Sequence, residues 1–208
     1  MKFKNKVLED WIAKKRIRTF YKIASKKQKI DGVNWYENML QWCEGVSESY
    51  EIPAFKVVGI FAALSPQSAV DINKRLTLQF LKSNTASHYK FLVQKCKDIL
   101  DAECEYEVSK ILNGNKITSF YWNILHPKRR ERVTIDRHAI ACCLQTPNNC
   151  KALPDSHGQI TKNQFRTFEQ LYKDVANDLG LIPNQLQAIV WESYRANREL
   201  REYADVPF

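Results

Sequence analysis

Two residues between Ile111 and Leu144 have the types and the spacing to act together on a carbon–nitrogen bond. Lys116 follows a glycine turn at the start of a predicted helix, and Asp136, about twenty residues later, precedes the next one. The positive end of a helix dipole favours the neutral, nucleophilic form of an amine, which can form a Schiff base with a carbon electrophile. A carboxylate opposite it can stabilise an oxocarbenium ion or orient a water. The pair therefore indicates cleavage of an N-glycosidic bond.

Each of these two residues also has a structural interpretation. Asp136 is a natural N-cap for a helix that begins at the next residue. Lys116 is equally compatible with a solvated surface position, which is where most lysines lie. Both interpretations stay open at the level of sequence, because they differ only in what surrounds the side chains in the fold.

The elements that must position these residues are helices, because apolar side chains recur with helical spacing along most of the chain. We expect an all-α fold with two helical lobes and a central cleft, organised as one unit over residues 1–208. A short β-like segment is predicted at 133–135, and a loop at 145–160. The predicted helices cover residues 7–28, 35–50, 54–64, 68–82, 88–100, 103–112, 116–125, 137–144, 161–179 and 184–203. Asp31-Gly32 is the predicted entry to the second of them, and Gly180 to Pro183, a glycine stop followed by a proline start, joins the last two.

The charge is unevenly distributed along the 208 residues. The chain has 32 Lys and Arg against 23 Asp and Glu, a net charge of +9, and residues 1–30 hold eleven basic and two acidic residues. The whole excess therefore belongs to a predicted basic amphipathic helix in 1–30. Residues 31–145 are expected to form the core, and 146–208 a C-terminal helical pair that completes the second lobe. The predicted apolar face of the first helix comprises Leu8, Trp11, Ile12, Phe20, Ile23 and Ala24.

The six cysteines are expected to be reduced thiols, because no secretory signal precedes them. His138, Cys142, Cys143, Cys150 and His157 could supply zinc ligands, but their spacing fits none of the usual paired-ligand patterns. We therefore predict no metal and no cofactor.

No apolar run approaches the roughly 20 residues that span a bilayer, and the longest extends from Val57 to Leu64. We expect a cytoplasmic monomer with no membrane partner, in the host cytoplasm if the chain is encoded by a phage.

Three motifs follow one another along the chain: LSPQSAVDINKRLT at 64–77, Gly114-Asn115-Lys116, and Ile135-Asp136-Arg137-His138. Together they resemble the helix-hairpin-helix DNA glycosylases, the superfamily of endonuclease III and oxoguanine glycosylase. The first motif is similar to the family's segment near the flipped base, the second to the end of its hairpin and the third to its catalytic segment. The motifs follow the family's order and cover about residues 54–145, under half of the chain. The resemblance implies a glycosylase-like two-lobe fold with Lys116 and Asp136 as catalytic residues.

The resemblance also implies contacts with double-stranded DNA. Gln67 would fill the gap left by the flipped base, and His138 would orient Asp136 or contact a phosphate. Each of these residues also has a structural interpretation that stays open. Gln67 could be an exposed polar residue without a partner in DNA, His138 a structural histidine, and the basic loop 128–132 a solvated run of charges. The residues expected to contact DNA are Ser65, Gln67, Ser68, Asn113, Gly114, Asn115, Lys128, Arg129, Arg130 and His138. The basic helix in 1–30 is either a solvated face or an auxiliary contact to the DNA backbone.

The chain departs from the family pattern in three places. Leu112 replaces the first of the two hairpin glycines that, in the family, let backbone amides approach a DNA phosphate. The cysteines do not provide the four-cysteine iron–sulfur site of many relatives. The segment 183–195 has no counterpart in the repair enzymes and resembles the ending of small phage and bacterial proteins.

These features together predict a DNA N-glycosylase that excises a damaged or modified base by base flipping, with Lys-dependent AP-lyase activity as an added possibility. The alternatives are a phage enzyme that acts on hypermodified thymine in DNA, by group transfer or removal, and a non-catalytic DNA-binding relative. Of the aromatic residues Phe120, Tyr121 and Trp122, two are expected to be buried and at most one to line the cleft.

Overall fold

The computed structural model describes residues 2–3, 6–7, 9–144 and 160–197. Helices dominate this part of the chain, which confirms the all-α class. Two short strands, β1 (Lys2–Phe3) and β2 (Lys6–Val7), form an antiparallel pair near the N-terminus. The helices are α1 (Asp10–Ile23), α2 (Lys26–Tyr50), α3 (Ala54–Ala63), α4 (Val70–Ser83), α5 (Lys90–Asp101), α6 (Glu105–Leu112), α7 (Asn115–Leu125), α8 (Arg137–Leu144), α9 (Lys162–Asp178) and α10 (Pro183–Ala196).

The chain divides into two compact units, with one boundary inside α2. Unit 1 comprises 1–36 and 128–208, and unit 2 comprises 37–127. The sequence of unit 1 has 23 basic and 13 acidic residues, a net charge of +10, whereas unit 2 has 9 and 10, a net charge of −1. The positive charge of the chain is therefore a property of unit 1.

The core of unit 1 is built from α1, α8, α9 and α10. Helix α1 buries Ala13, Ile17 and Phe20, while Trp11 is 62% exposed and Ile23 lies at the surface. The predicted apolar face of this helix was therefore wrong for Trp11 and Ile23, because the buried residues follow the spacing 13, 17, 20. Leu8 of that predicted face lies outside the described residues.

The boundary between the first two helices also differs from the prediction. The sequence predicts one helix over 7–28 and the next from residue 35, but α1 ends at Ile23 and α2 begins at Lys26. Ser25 and Gln28 form a reciprocal capping pair at this break: each side chain accepts the backbone N–H of the other residue, at 2.8 and 3.1 Å. The chain therefore restarts its helix several residues before the predicted Asp31-Gly32 entry.

Gly32 lies inside α2, and this position requires glycine because α10 passes very close to it. A Cβ atom at this position would lie 2.6 Å from Cγ1 of Ile189 and 2.7 Å from its backbone nitrogen. The glycine that the sequence presents as a helix entry is thus a point of close approach between α2 and α10, in the part of α2 that belongs to unit 1.

Unit 2 is organised around α3, whose neighbours include α4, α5, α6 and α7. Residues 57–64 are all buried, as the apolar run predicts. The predicted helices over 68–82, 88–100, 103–112 and 116–125 are confirmed to within about two residues at each end. The local signals of unit 2, which are glycine, proline and polar turns between apolar stretches, were therefore sufficient to locate its helices.

The segment 133–135 is buried but forms no strand in the described part of the chain. The backbone N–H of Val133 instead donates to Oε1 of Glu169 in α9, at 2.9 Å. Helix α8 matches its prediction, and Gly180 (φ +69°) followed by Pro183 separates α9 from α10 as expected. The predicted loop over 145–159 and the predicted end of the last helix at 198–203 lie outside the described residues.

Among the helices of the described residues, none combines the length and the apolar character that crossing a bilayer would require.

Candidate functional site

Asp136 lies at the N-terminus of α8 and caps it. Its Oδ1 accepts the backbone N–H groups of His138 and Ala139 at 2.9 and 2.8 Å, and its carbonyl accepts the N–H of Ile140. This is the geometry of an N-cap, so the structural interpretation of Asp136 holds for one of its two carboxylate oxygens.

The second oxygen is held by a residue from a distant part of the sequence. The indole N–H of Trp191, in α10, donates to Oδ2 of Asp136 at 3.1 Å. The guanidinium of Arg195 lies over the Trp191 ring, 4.3 Å from its centroid. The carboxylate is therefore oriented at both oxygens by N–H donors from two helices of unit 1.

His138 is half-buried beside this carboxylate. Its ring meets Trp191 edge-on, with 6.2 Å between ring centroids, and lies 6.1 Å from the ring of Tyr194. Nε of Arg137 lies 3.4 Å from its Nε2. The residue contributes to Asp136 through its backbone N–H, while its side chain belongs to an aromatic group between α8 and α10.

The helices α6 and α7 form the predicted hairpin in unit 2. They are joined by Asn113 and Gly114, both with positive φ, +49° and +90°. A Cβ at Gly114 would meet nothing within 4 Å, so glycine is favoured there by the backbone conformation and not by lack of space. Leu112, the last residue before this turn, is a buried core residue.

Lys116 is the second residue of α7, and its side chain is exposed. Helix α7 therefore presents the amine at its N-terminal turn, as predicted, but in solvent. Lys116 belongs to unit 2 and Asp136 to unit 1, and each is positioned by its own unit.

Ser65, Gln67 and Ser68 lie in one tight loop between α3 and α4. Gln67 is exposed and has φ of +60°, a left-handed conformation that is uncommon for a residue other than glycine. The half-buried Ser65 donates through Oγ to the carbonyl of Ala62 at 2.8 Å, and its own carbonyl accepts the N–H of Ser68. The loop thus presents Gln67 at its outer end.

Both ends of this loop are anchored. The buried Asn73 in α4 donates through Nδ2 to the carbonyl of Phe61 in α3, at 2.9 Å. Nε2 of His88 lies 3.1 Å from the carbonyl oxygen of Pro66, and the hydroxyl of Tyr89 donates to Oε1 of Gln67 at 3.1 Å. The position of Gln67 is therefore set by contacts from α3, α4 and the segment before α5.

The basic loop 128–132 is exposed throughout. Arg130 is engaged with its own unit, because its Nη2 donates to Oδ1 of Asn177 and to the carbonyl of Leu181, at 3.1 and 2.8 Å. Lys128 and Arg129 remain at the surface as predicted. Of the three expected phosphate contacts in this loop, Arg130 thus has an alternative role in holding the loop against the end of α9.

Several basic side chains of α1 are also engaged internally. Lys14 pairs with Asp174 at 2.7 Å, Arg18 pairs with Asp178, and Nη1 of Arg16 donates to the carbonyl of Cys143 at 2.8 Å. Burial raises the pKa of Asp174, but hydrogen bonds from Lys14 and from a glutamine outweigh it, so this pKa lies below its usual value. These three bases hold α1 against α8 and α9, which leaves only part of the helix for an outside partner.

The aromatic group of α7 is less buried than expected. Tyr121 is fully buried, whereas Phe120 and Trp122 are both only half-buried. The prediction that two of the three are buried was therefore wrong. The ring of Trp122 stacks on His126, 5.6 Å between centroids, and His126 in turn contacts Oε2 of Glu105 at 2.9 Å. Trp122 thus supports the far end of the hairpin.

Cys142 and Cys143 are buried in the core of unit 1. Burial raises the pKa of the Cys142 thiol to about 12 and that of Cys143 well above its usual value. No group of three potential ligands comes together within the described residues, and Cys150 and His157, two of the five candidate ligands, lie outside them. Cys142 and Cys143 are positioned as core residues.

Trp191 and Tyr89 were not predicted as site residues, although they donate hydrogen bonds to the predicted residues Asp136 and Gln67. The one available signal for Trp191 was its place in 183–195, the segment without a counterpart in the repair enzymes. Tyr89 carried no signal, because its partner is a loop more than twenty residues away.

Comparisons with known proteins found neither a curated protein nor a solved structure that matches the chain significantly. Residues 3–198 match the model of the family described as "Family of unknown function (DUF7178)". Because this match covers both units nearly completely, the chain belongs to the DUF7178 family.

Proposed function

We propose that this protein is a DNA N-glycosylase that excises a damaged or modified base by flipping it from the duplex. The observation that carries the proposal is the orientation of Asp136. Capping α8 requires one carboxylate oxygen, yet the second is held by Trp191 from α10. A carboxylate held at both oxygens is preorganised to stabilise positive charge at a fixed point.

In this proposal Asp136 faces the developing oxocarbenium ion. The bond between the base nitrogen and C1′ breaks with its electron pair leaving on the base, water then adds to C1′, and the proton that the water loses passes to the departed base. The nearby negative charge stabilises the cationic sugar as this bond stretches. The exposed amide of Gln67 would fill the space that the flipped base leaves in the duplex.

The exposure of Lys116 favours a monofunctional enzyme. A lysine that forms a Schiff base is activated by desolvation or by a neighbouring charge, and the Lys116 side chain lies in solvent. We therefore propose that Lys116 helps to position DNA beside the hairpin turn. Detection of AP-lyase activity that depends on Lys116 would contradict this role.

The test is base release by the full-length protein, wild type and Asp136→Asn, from duplexes that carry damaged bases or phage-type modified thymines. The released product is identified by mass spectrometry. Asparagine caps a helix as well as aspartate does, so the variant is expected to fold and bind DNA while losing base release. Duplex binding without release from any substrate would contradict the proposal and favour a non-catalytic DNA-binding relative.

Borohydride trapping on duplexes that contain an abasic site tests the role of Lys116. We expect no covalent adduct. An adduct that forms with the wild type and is lost in Lys116→Ala would show that the exposed amine carries out lyase chemistry. That result would contradict a role of Lys116 limited to DNA positioning.

A further inference from the structure

Two large aromatic side chains are exposed beside the Gln67 loop. Tyr89 is 50% exposed and Phe91 is 61% exposed. Their rings are stacked, with 5.8 Å between centroids and an interplanar angle of 20°. The ring of His88 lies 5.1 Å from that of Tyr89 and is tilted from it by 34°. The neighbouring rings of His88, Tyr89 and Phe91 form an aromatic surface, which we call the 88–91 platform.

The platform is connected to the loop that presents Gln67. The Tyr89 hydroxyl donates to Oε1 of Gln67 at 3.1 Å, and Nε2 of His88 lies 3.1 Å from the carbonyl oxygen of Pro66. The aromatic rings and the amide of the left-handed Gln67 are therefore held in one arrangement before any partner arrives. Such preorganisation lowers the entropic cost of binding.

The platform is also connected to the α6–α7 hairpin. Phe91 lies one helical turn before Lys95 in α5, and Nζ of Lys95 donates to the carbonyl of Leu112 at 2.6 Å. Leu112 is the last residue of α6, directly before the Asn113-Gly114 turn. Within unit 2, hydrogen bonds thus join the platform to the Gln67 loop, and helix α5 carries both Phe91 and the lysine that bonds the end of α6.

The chemistry of this surface suits unpaired nucleobases. Every base has a π-face, and single-strand-binding proteins combine aromatic stacking with a basic path for the backbone. Lys90, which lies between the two aromatic residues in the sequence, is exposed, and as the first residue of α5 it marks the positive end of that helix dipole. The acidic residues of α5, Asp98 and Asp101, lie in its C-terminal half, away from the platform.

We propose that the 88–91 platform binds an unpaired stretch of DNA by stacking bases on the exposed ring surfaces of Phe91 and Tyr89. The inference rests on the proposed action on DNA and adds to it a preference for strands that are already locally open. Because unit 2 has a net charge of −1, we expect base stacking to contribute more to binding at this surface than the attraction of phosphates to Lys90. The contribution of the two rings should therefore persist as salt is raised.

The experiment measures binding of the full-length protein to a labelled, undamaged oligothymidine of about 12 nucleotides, by fluorescence anisotropy. Tyr89→Ala and Phe91→Ala are each expected to weaken binding about 10-fold or more, by a factor that changes little with salt. Tyr89→Phe keeps the ring and removes the bond to Gln67, and is expected to retain most of the binding.

Tyr106→Ala is the matched control. Tyr106 is a tyrosine of unit 2 that is 63% exposed, and its ring lies under the amine of Lys110. Its substitution is expected to leave oligothymidine binding unchanged. All four substitutions are at exposed residues, and circular dichroism checks that each variant is folded.

Three results would overturn the platform: wild-type protein that does not bind the oligonucleotide, alanine variants that bind like wild type, or an equal loss in Tyr106→Ala. A change of oligomeric state on gel filtration in Tyr89→Ala and Phe91→Ala would reassign the patch to self-association. Because undamaged oligothymidine requires no base release, the platform can fail while the glycosylase proposal stands, and the reverse.

Discussion

The indole N–H of Trp191 donates to Oδ2 of Asp136 across 3.1 Å, while Oδ1 of the same carboxylate caps α8. Rotation of the carboxylate would break one bond or the other. The two residues lie 55 positions apart in the sequence, and α8 and α10 meet in the core of unit 1. The orientation of Asp136 is therefore a tertiary property of this unit.

Trp191→Phe should slow base release about 10-fold, because it removes a hydrogen bond to a charged group, worth about 1.5–3 kcal/mol, while keeping the aromatic ring. The measurement is the single-turnover rate of base release, with DNA affinity determined separately and expected to change little. Trp191→His retains a ring N–H donor and should recover part of the rate. Trp11→Phe, at an exposed tryptophan of the same unit, serves as the control. A wild-type rate in Trp191→Phe would remove Trp191 from the positioning of Asp136.

Gly32→Ala and Gly45→Ala should have opposite effects on stability, although both glycines lie within α2. A Cβ added at Gly32 would lie 2.7 Å from the backbone nitrogen of Ile189, so the helices must separate, at a cost of about 1–3 kcal/mol. A Cβ at Gly45 meets nothing within 4 Å, and alanine there should stabilise the helix by about 1 kcal/mol. Urea unfolding measures both changes. Equal effects at the two sites would contradict the close approach of α2 and α10.

Neutralising the exposed lysines at the start of the chain should flatten the salt dependence of DNA binding. Lys15, Lys22 and Lys26 are exposed, and each phosphate contact contributes about 0.9 to the slope of log K against log salt. The triple glutamine variant should therefore reduce that slope by about 2 to 3. Substitution is preferable to deletion of residues 1–30, because α1 contributes Ala13, Ile17 and Phe20 to the core.

The matched control for this experiment is Lys14→Gln combined with Arg18→Gln. These bases pair with Asp174 and Asp178 in α9, so their loss should leave the salt slope nearly unchanged and lower stability only slightly, since surface ion pairs contribute about 0–1 kcal/mol each. An unchanged slope in the triple variant would mean that the N-terminal charge is a solvated surface.

Alkylation at pH 8 should distinguish Cys104 from the buried cysteines. Cys104 is exposed, whereas Cys43, Cys96, Cys142 and Cys143 are buried. Burial raises the pKa of Cys43, Cys96 and Cys142 to about 12, so the reactive thiolate is scarce at pH 8 in the folded protein. Peptide mass spectrometry after brief iodoacetamide treatment should find Cys104 labelled and these four protected. Labelling of Cys142 or Cys143 under native conditions would contradict the packing of α8, and denaturant should expose all of them.

Local signals predicted much of the fold. The polar turn at Asn113-Gly114, the aspartate before α8 and the glycine and proline between α9 and α10 each specify a helix end through a preference of the backbone itself. The capping pair Ser25 and Gln28 is a signal of the same kind. It could have placed the start of α2 correctly, had Gly32 not been interpreted as the helix entry.

The sequence by itself thus determined the all-α class, most helix ends, the hairpin before Lys116 and the place of Asp136 at a helix start, because these depend on neighbours within a few residues. Only the tertiary structure decided that Gly32 lies against α10, that Lys14 and Arg18 face α9, and that Trp191 and Tyr89 hold Asp136 and Gln67. Each of those contacts joins residues far apart in the chain, and no local preference specifies which distant side chain will fill a given position.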